Sequence, residues 1–237
     1  MLARLRVRFA KNKYRLFIFA ILGGASLVCI ALFRLRASLT GKDDYAFLIW
    51  NLFLAWIPFI IAYLTYTSTL QHSRMRVAVP VAAFVWLIFF PNAPYILTDL
   101  QHLAVVNWQD IDTWYDVLML VWFAFTGLLL GMVSLFMMQE IIRREFGRWV
   151  GWGFVALVTA LTAVGVYVGR FLRWNSWDIL SRPQQLAQFT LARAQDPSLQ
   201  SIVFTSVFAA LFLFFYLTLY AFGHLLQEGA ITESKVS

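Results

Sequence analysis

Charge is scarce in this sequence. Of 237 residues, 13% are Asp, Glu, Lys or Arg and 61% are hydrophobic, and the mean hydropathy is +0.72. A soluble domain is roughly 25% charged and about 45–50% apolar. A chain solvated only by water is therefore excluded, and lipid must cover much of its surface. Cysteine is limited to Cys29, which lies inside an apolar stretch, so no intrachain disulfide can form. Several motifs are missing: a Walker A loop, G-x-G-x-x-G, C-x-x-C, H-E-x-x-H and G-x-S-x-G. Their absence removes the usual sequence support for nucleotide, zinc-protease or serine-hydrolase chemistry. No Asp, Glu, Lys or Arg falls in the middle of any long apolar run. That counts against an ion-coupled transporter, which usually holds its coupling ion at mid-membrane.

What is present is six long apolar stretches, at about residues 16–33, 45–66, 77–97, 117–138, 150–169 and 202–226. Each is long enough to cross a bilayer as a helix. The predicted fold is an all-α, polytopic bundle of six spans forming a single membrane domain over 16–226. A basic segment, 1–15, precedes it and a short tail, 227–237, follows. The first stretch could be a signal peptide. It is longer than a signal core, however, and Arg34 and Arg36 follow it instead of small residues, which favours an uncleaved span. Pro58 should kink the second span, and Pro91 and Pro94 should break or bend the third. Residues 181–200 are polar overall, and Leu186 and Phe189 begin an imperfect apolar stripe that suits a helix at the interface.

With the N-terminus inside, the inner segments carry twelve Lys and Arg and the outer ones seven. The 98–116 loop has four aspartates and no basic residue. The bias places both termini in the cytoplasm. The net charge of +7 sits at span ends, so it points to topology and not to a nucleic-acid partner. Membrane lipid is the expected partner, and the helix faces could also hold another protein. Gly127 and Gly131, Gly165 and Gly169, and Ala156 and Ala160 have small-xxx-small spacing. They predict close packing of spans four and five. Tryptophans near span ends, such as Trp114, Trp149 and Trp177, read as interfacial anchors.

Polar residues collect on the predicted outer side. Asp99 and His102 share a helical face, Asp116 opens the fourth span, and Arg170, Arg173, Asn175 and Asp178 close the fifth. If these ends converge, they form a pocket rimmed by Tyr95, Tyr115, Trp174 and Trp177. Three readings compete for it. In the structural one, Arg170 or Arg173 pairs with Asp99 or Asp116. In the second, the pocket binds or acts on an anionic, lipid-linked envelope substrate. The guanidinium forks of Arg170 and Arg173 suit phosphate oxygens, with Asn92, Tyr95, Trp174, Asn175 and Asp178 as further binding candidates. Asp99, His102 or Asp116 would then act as acid or base. The third is a metal site of Asp99, His102 and Asp116, which lacks a second histidine. His72 and His224 read as solvated or interfacial. Asn92, between two prolines, reads as a turn residue or as the donor to a carbonyl freed by the break. No residue pattern names a cofactor or decides whether the chain is an enzyme. A non-enzymatic complex subunit and, less favoured, a channel or passive transporter are the alternatives.

The runs Phe89-Phe90-Pro91-Asn92-Ala93-Pro94-Tyr95-Ile96-Leu97-Thr98-Asp99-Leu100, Trp114-Tyr115-Asp116 and Gly169-Arg170-Phe171-Leu172-Arg173-Trp174-Asn175-Ser176-Trp177-Asp178 resemble the bacterial membrane family catalogued as domain of unknown function 1361. The likeness extends from the second span to the sixth. It implies a small multi-span protein of a bacterial plasma membrane, and it brings no activity, cofactor or catalytic residue with it.

Overall fold

The computed structural model describes residues 2–71, 78–105 and 113–236. Among these there is no strand, and six helical segments are long and apolar enough to cross a membrane. The protein is an all-α, multi-pass membrane protein. Its helices are α1 (Leu2–Thr40), α2 (Ala46–Gln71), α3 (Ala78–Phe89), α4 (Asn92–Tyr95), α5 (Thr113–Phe146), α6 (Arg148–Leu172), α7 (Asp178–Ser181), α8 (Pro183–Gln195) and α9 (Leu199–Val236), with a 3₁₀ helix, Ile96–Val105, after α4. The stretch 72–77, with His72, and the stretch 106–112 lie outside the described residues. The chain forms two compact units, Met1–Ser134 and Leu135–Ser237, and the boundary falls within α5.

In the first unit, α1 presents one buried row, Leu22, Ser26, Cys29, Phe33 and Arg36. These positions recur at the three- and four-residue steps that keep one helical face together. Polar groups in lipid must find partners, and here they do. Trp56 donates its indole N–H to Ser26 at 3.0 Å, and the Cys29 thiol sits 3.6 Å from the Thr126 hydroxyl. Pro58 is accommodated inside α2. Ser134 donates to the Pro58 carbonyl at 3.1 Å and accepts from the Trp86 indole at 2.7 Å, so one hydroxyl joins α2, α3 and α5.

The third span changes pitch at the proline pair and remains one apolar segment, Val79–Leu103. α3 ends at Phe89, and Ala93 N–H turns to the Phe90 carbonyl at 3.1 Å. Asn92 Nδ2 then donates to the Phe89 carbonyl at 2.8 Å. This matches one of the alternative roles that the sequence offers for that residue beside a plain turn residue. The turn packs against α5 at the Gly127–Gly131 notch. A Cβ on Gly127 would lie 2.7 Å from the Ala93 carbonyl oxygen, and one on Gly131 would lie 3.3 Å from Ala93 Cβ. The notch expected to receive the fifth span thus receives the third. The reason is steric: α4 brings backbone, not only side chains, to the α5 surface.

In the second unit, α6 and α9 run antiparallel. Phe171 and Tyr167 meet Phe204 at one end, with centroids 5.0 and 6.0 Å apart, and Trp152 meets Tyr220 at 4.8 Å at the other. Gly147, at φ +92°, makes the one-residue turn from α5 into α6 that a side chain would strain. Ala156 and Ala160 are exposed and do not form a packing seam within the unit.

Candidate functional site

The candidate residues divide between the two units. In the first, Asp116 stands in the first turn of α5 and is fully buried. In place of the expected Arg170 or Arg173, Arg36 of α1 pairs with it. Nε meets Oδ1 at 2.7 Å and Nη2 meets Oδ2 at 3.2 Å, a two-pronged bond. The guanidinium also lies 4.3 Å from the centre of the Tyr45 ring, whose hydroxyl reaches Asp116 Oδ2 at 3.5 Å. Burial, then the Asp116 charge, push the Tyr45 phenol above its ordinary range, so it keeps its proton as the donor. Tyr115 donates to the Leu32 carbonyl at 2.8 Å and ties α5 to α1 a second time. Arg36 went unrecognised in the sequence because it follows the first apolar run like any flanking cation. The signal was its place on the Leu22–Ser26–Cys29–Phe33 face.

Asp99 is 1% exposed and accepts a hydrogen bond from Asn51 Nδ2 at 2.8 Å. His102 is half-buried, and its ring centre lies 4.7 Å from that of Phe47. The two contacts share a register. Four residues of α-helix and three of 3₁₀ helix both rise about 6 Å. Phe47 and Asn51 on α2 therefore meet His102 and Asp99 in antiparallel order. The same step leads to Ala55 and Ile96, both fully buried. Asn51 was not among the expected residues. A lone Asn in an apolar run was its only signal. Tyr95 and Asn92 are half-buried in the turn just before this row.

The end of α6 holds the other candidates. Arg173 caps the helix in the left-handed conformation, φ 56° and ψ 35°, with its N–H directed to the Val168 carbonyl. Among the described residues it is the one non-glycine with positive φ. Such a residue costs roughly 1–2 kcal/mol over glycine. The following loop closes on itself. Asp178 Oδ2 accepts the Asn175 N–H at 2.7 Å, and Asp178 N–H bonds the Asn175 carbonyl at 3.0 Å. Asp178 and Asn175 thus shape the turn, while Arg173 is exposed and Arg170 and Trp174 are half-buried. Beside this end, α6, α8 and α9 enclose a groove of about 170 Å³. Val164, Val168, Leu172, Pro197 and Ile202 give it apolar walls, with Thr190 and Ser201 among the few polar ones.

Among the described residues no group of three or more His, Cys, Asp or Glu could hold a metal ion. Asp116 has its carboxylate engaged by Arg36.

A family model described as a protein of unknown function, DUF1361, matches residues 50–218. That stretch contains Asn51, the proline turn, the Asp99–His102 row, Asp116 and the whole α6 end, while Arg36 and Tyr45 precede it. No curated protein and no solved structure matches the chain.

Proposed function

Starting from the premise that the chain belongs to the DUF1361 family of proteins of unknown function, we propose that it binds the anionic headgroup of a lipid or lipid-linked envelope substrate at the α6 end of its second unit. The observation that carries this reading is the apolar groove beside a positively charged helix end. The groove takes a hydrocarbon chain, and its α6 wall stops at Leu172, one residue before Arg173. Arg173 and Arg170 supply the charge, and the guanidinium fork matches phosphate or carboxylate oxygens. The conformation of Arg173 supports the same role. Glycine would fit the helix cap at lower cost, so a guanidinium held there against the local preference points to use of the side chain. In this reading the α6 end faces outward and both termini are cytoplasmic, in a bacterial plasma membrane, as the distribution of Lys and Arg suggests.

Arg173→Gly tests the proposal without straining the cap. Native mass spectrometry from mild detergent should show an anionic lipid bound to the wild type and lost from the variant. The variant's melting temperature should stay level or rise, because glycine relieves about 1 kcal/mol of backbone cost. Equal retention of the same lipid by both proteins would sink the reading. The mass of the bound species separates a phospholipid from a lipid-linked substrate.

A further inference from the structure

Hydroxyl groups from three helices line the apolar groove of the second unit: Tyr167 on α6, Thr190 on α8, and Ser201 and Thr205 on α9. They are not equivalent. Ser201 donates to the Ser198 carbonyl at 2.7 Å, and Thr205 donates to the Ser201 carbonyl at 2.6 Å. Both protons are used within the backbone of this segment, which leaves these hydroxyls only lone pairs to offer. Thr190 is half-buried. Tyr167 is 5% exposed, and its hydroxyl bonds to no group among the described residues. Its ring is held in place by Phe171 and Phe204, with centroids 5.0 and 6.0 Å away. A phenol buried in this way costs free energy until a hydrogen bond compensates it. The groove is a hydrocarbon slot with an O–H donor in its wall, and an occupant that brings an acceptor satisfies it.

Depth selects the acceptor. Tyr167 precedes Arg173 by six residues, about 9 Å along the α6 axis. Helical side chains lean toward the helix N-terminus, so Tyr167 reaches away from Arg173 and further down the groove. A phosphate held at Arg173 leaves Tyr167 to the next segment of the ligand. In a glycerophospholipid that segment is the acyl ester, with a carbonyl oxygen at the head of each hydrocarbon chain. In a polyprenyl phosphate it is hydrocarbon alone, and the phenol stays without a partner.

We propose that the occupant of the groove is an anionic diacyl glycerophospholipid, and that Tyr167 donates its hydroxyl proton to an ester carbonyl. The inference rests on the lipid reading and narrows it. Arginine at the α6 end takes the charge of the head, and the phenol recognises how the chains are attached.

Titration of the delipidated protein, followed by native mass spectrometry, tests this with three probes. They are a diester phosphatidylglycerol, its diether analogue with the same head and chain length, and a polyprenyl phosphate. The wild type should bind the diester roughly three- to tenfold more tightly than the diether, the range of one hydrogen bond. Tyr167→Phe should bind both at the level of the diether. Equal affinity of the wild type for diester and diether overturns the inference without any variant. So does a diester preference that persists in Tyr167→Phe, or tighter binding of the polyprenyl phosphate than of the diester. In each of these cases the lipid reading stands as long as Arg173→Gly weakens binding. Binding of none of the three probes, or full binding by Arg173→Gly, removes the lipid reading and this inference with it.

Discussion

Arg36 and Asp116 show how a single pair can secure a helix end in lipid. Both side chains are nearly inaccessible, at 5% and 0%. A buried ion whose partner is removed keeps its desolvation cost and loses its compensation, which destabilises by about 3–5 kcal/mol. Asp116→Ala and Arg36→Met should each lower stability on that scale in detergent denaturation. The double variant Arg36→Met, Asp116→Leu should recover most of the loss, because two apolar side chains suit the site nearly as well as the pair. Additive losses in the double variant would show that the two residues do not act as a unit. Asp99 is a different case at the same scale. There a neutral amide, that of Asn51, donates to the carboxylate at 2.8 Å and helps to hold it in place.

At the scale of elements, the proline turn in the third span determines the surroundings. It brings the Ala93 carbonyl against α5, and only glycine at position 127 permits that approach. Gly127→Ala should cost about 1–3 kcal/mol by overpacking, since the atom it meets belongs to backbone and cannot rotate away. Gly131→Ala meets Ala93 Cβ at 3.3 Å and should cost less. Gly153→Ala has nothing within 4 Å and should be neutral or slightly favourable. Melting temperatures of the three variants should rank in that order, and equal effects would refute close α4–α5 packing. The turn also leads into the 3₁₀ helix, whose pitch matches α2 and so places Asn51 opposite Asp99.

At the scale of the whole molecule, the six spans and the charge distribution make topology testable. Cys29 is fully buried, so the native thiol should be silent to membrane-impermeant maleimides. Arg182→Cys should label from outside intact cells and Glu145→Cys only after permeabilisation. The reverse pattern would invert the orientation and place the proposed lipid site on the cytoplasmic side.

The sequence by itself determined the spans, the proline turn and the helical class. Each follows from local rules: enough apolar residues in a row to cross lipid, and a proline that cannot donate a hydrogen bond. Asn92 was legible for the same reason, since the carbonyl it satisfies lies three residues away. Partners distant in the chain were decided only by the tertiary structure. Asp116 pairs with Arg36 across 80 residues and Asn51 reaches Asp99 across 48, while the Gly127–Gly131 notch takes the third span. A small-residue motif specifies that something can come close, and a carboxylate specifies that something must pair with it. Neither specifies which helix arrives, because that depends on how the helices turn and pack once folded. The winding of the Asp99–His102 row is of this kind too. It follows from pitch matching against α2, which no local pattern encodes.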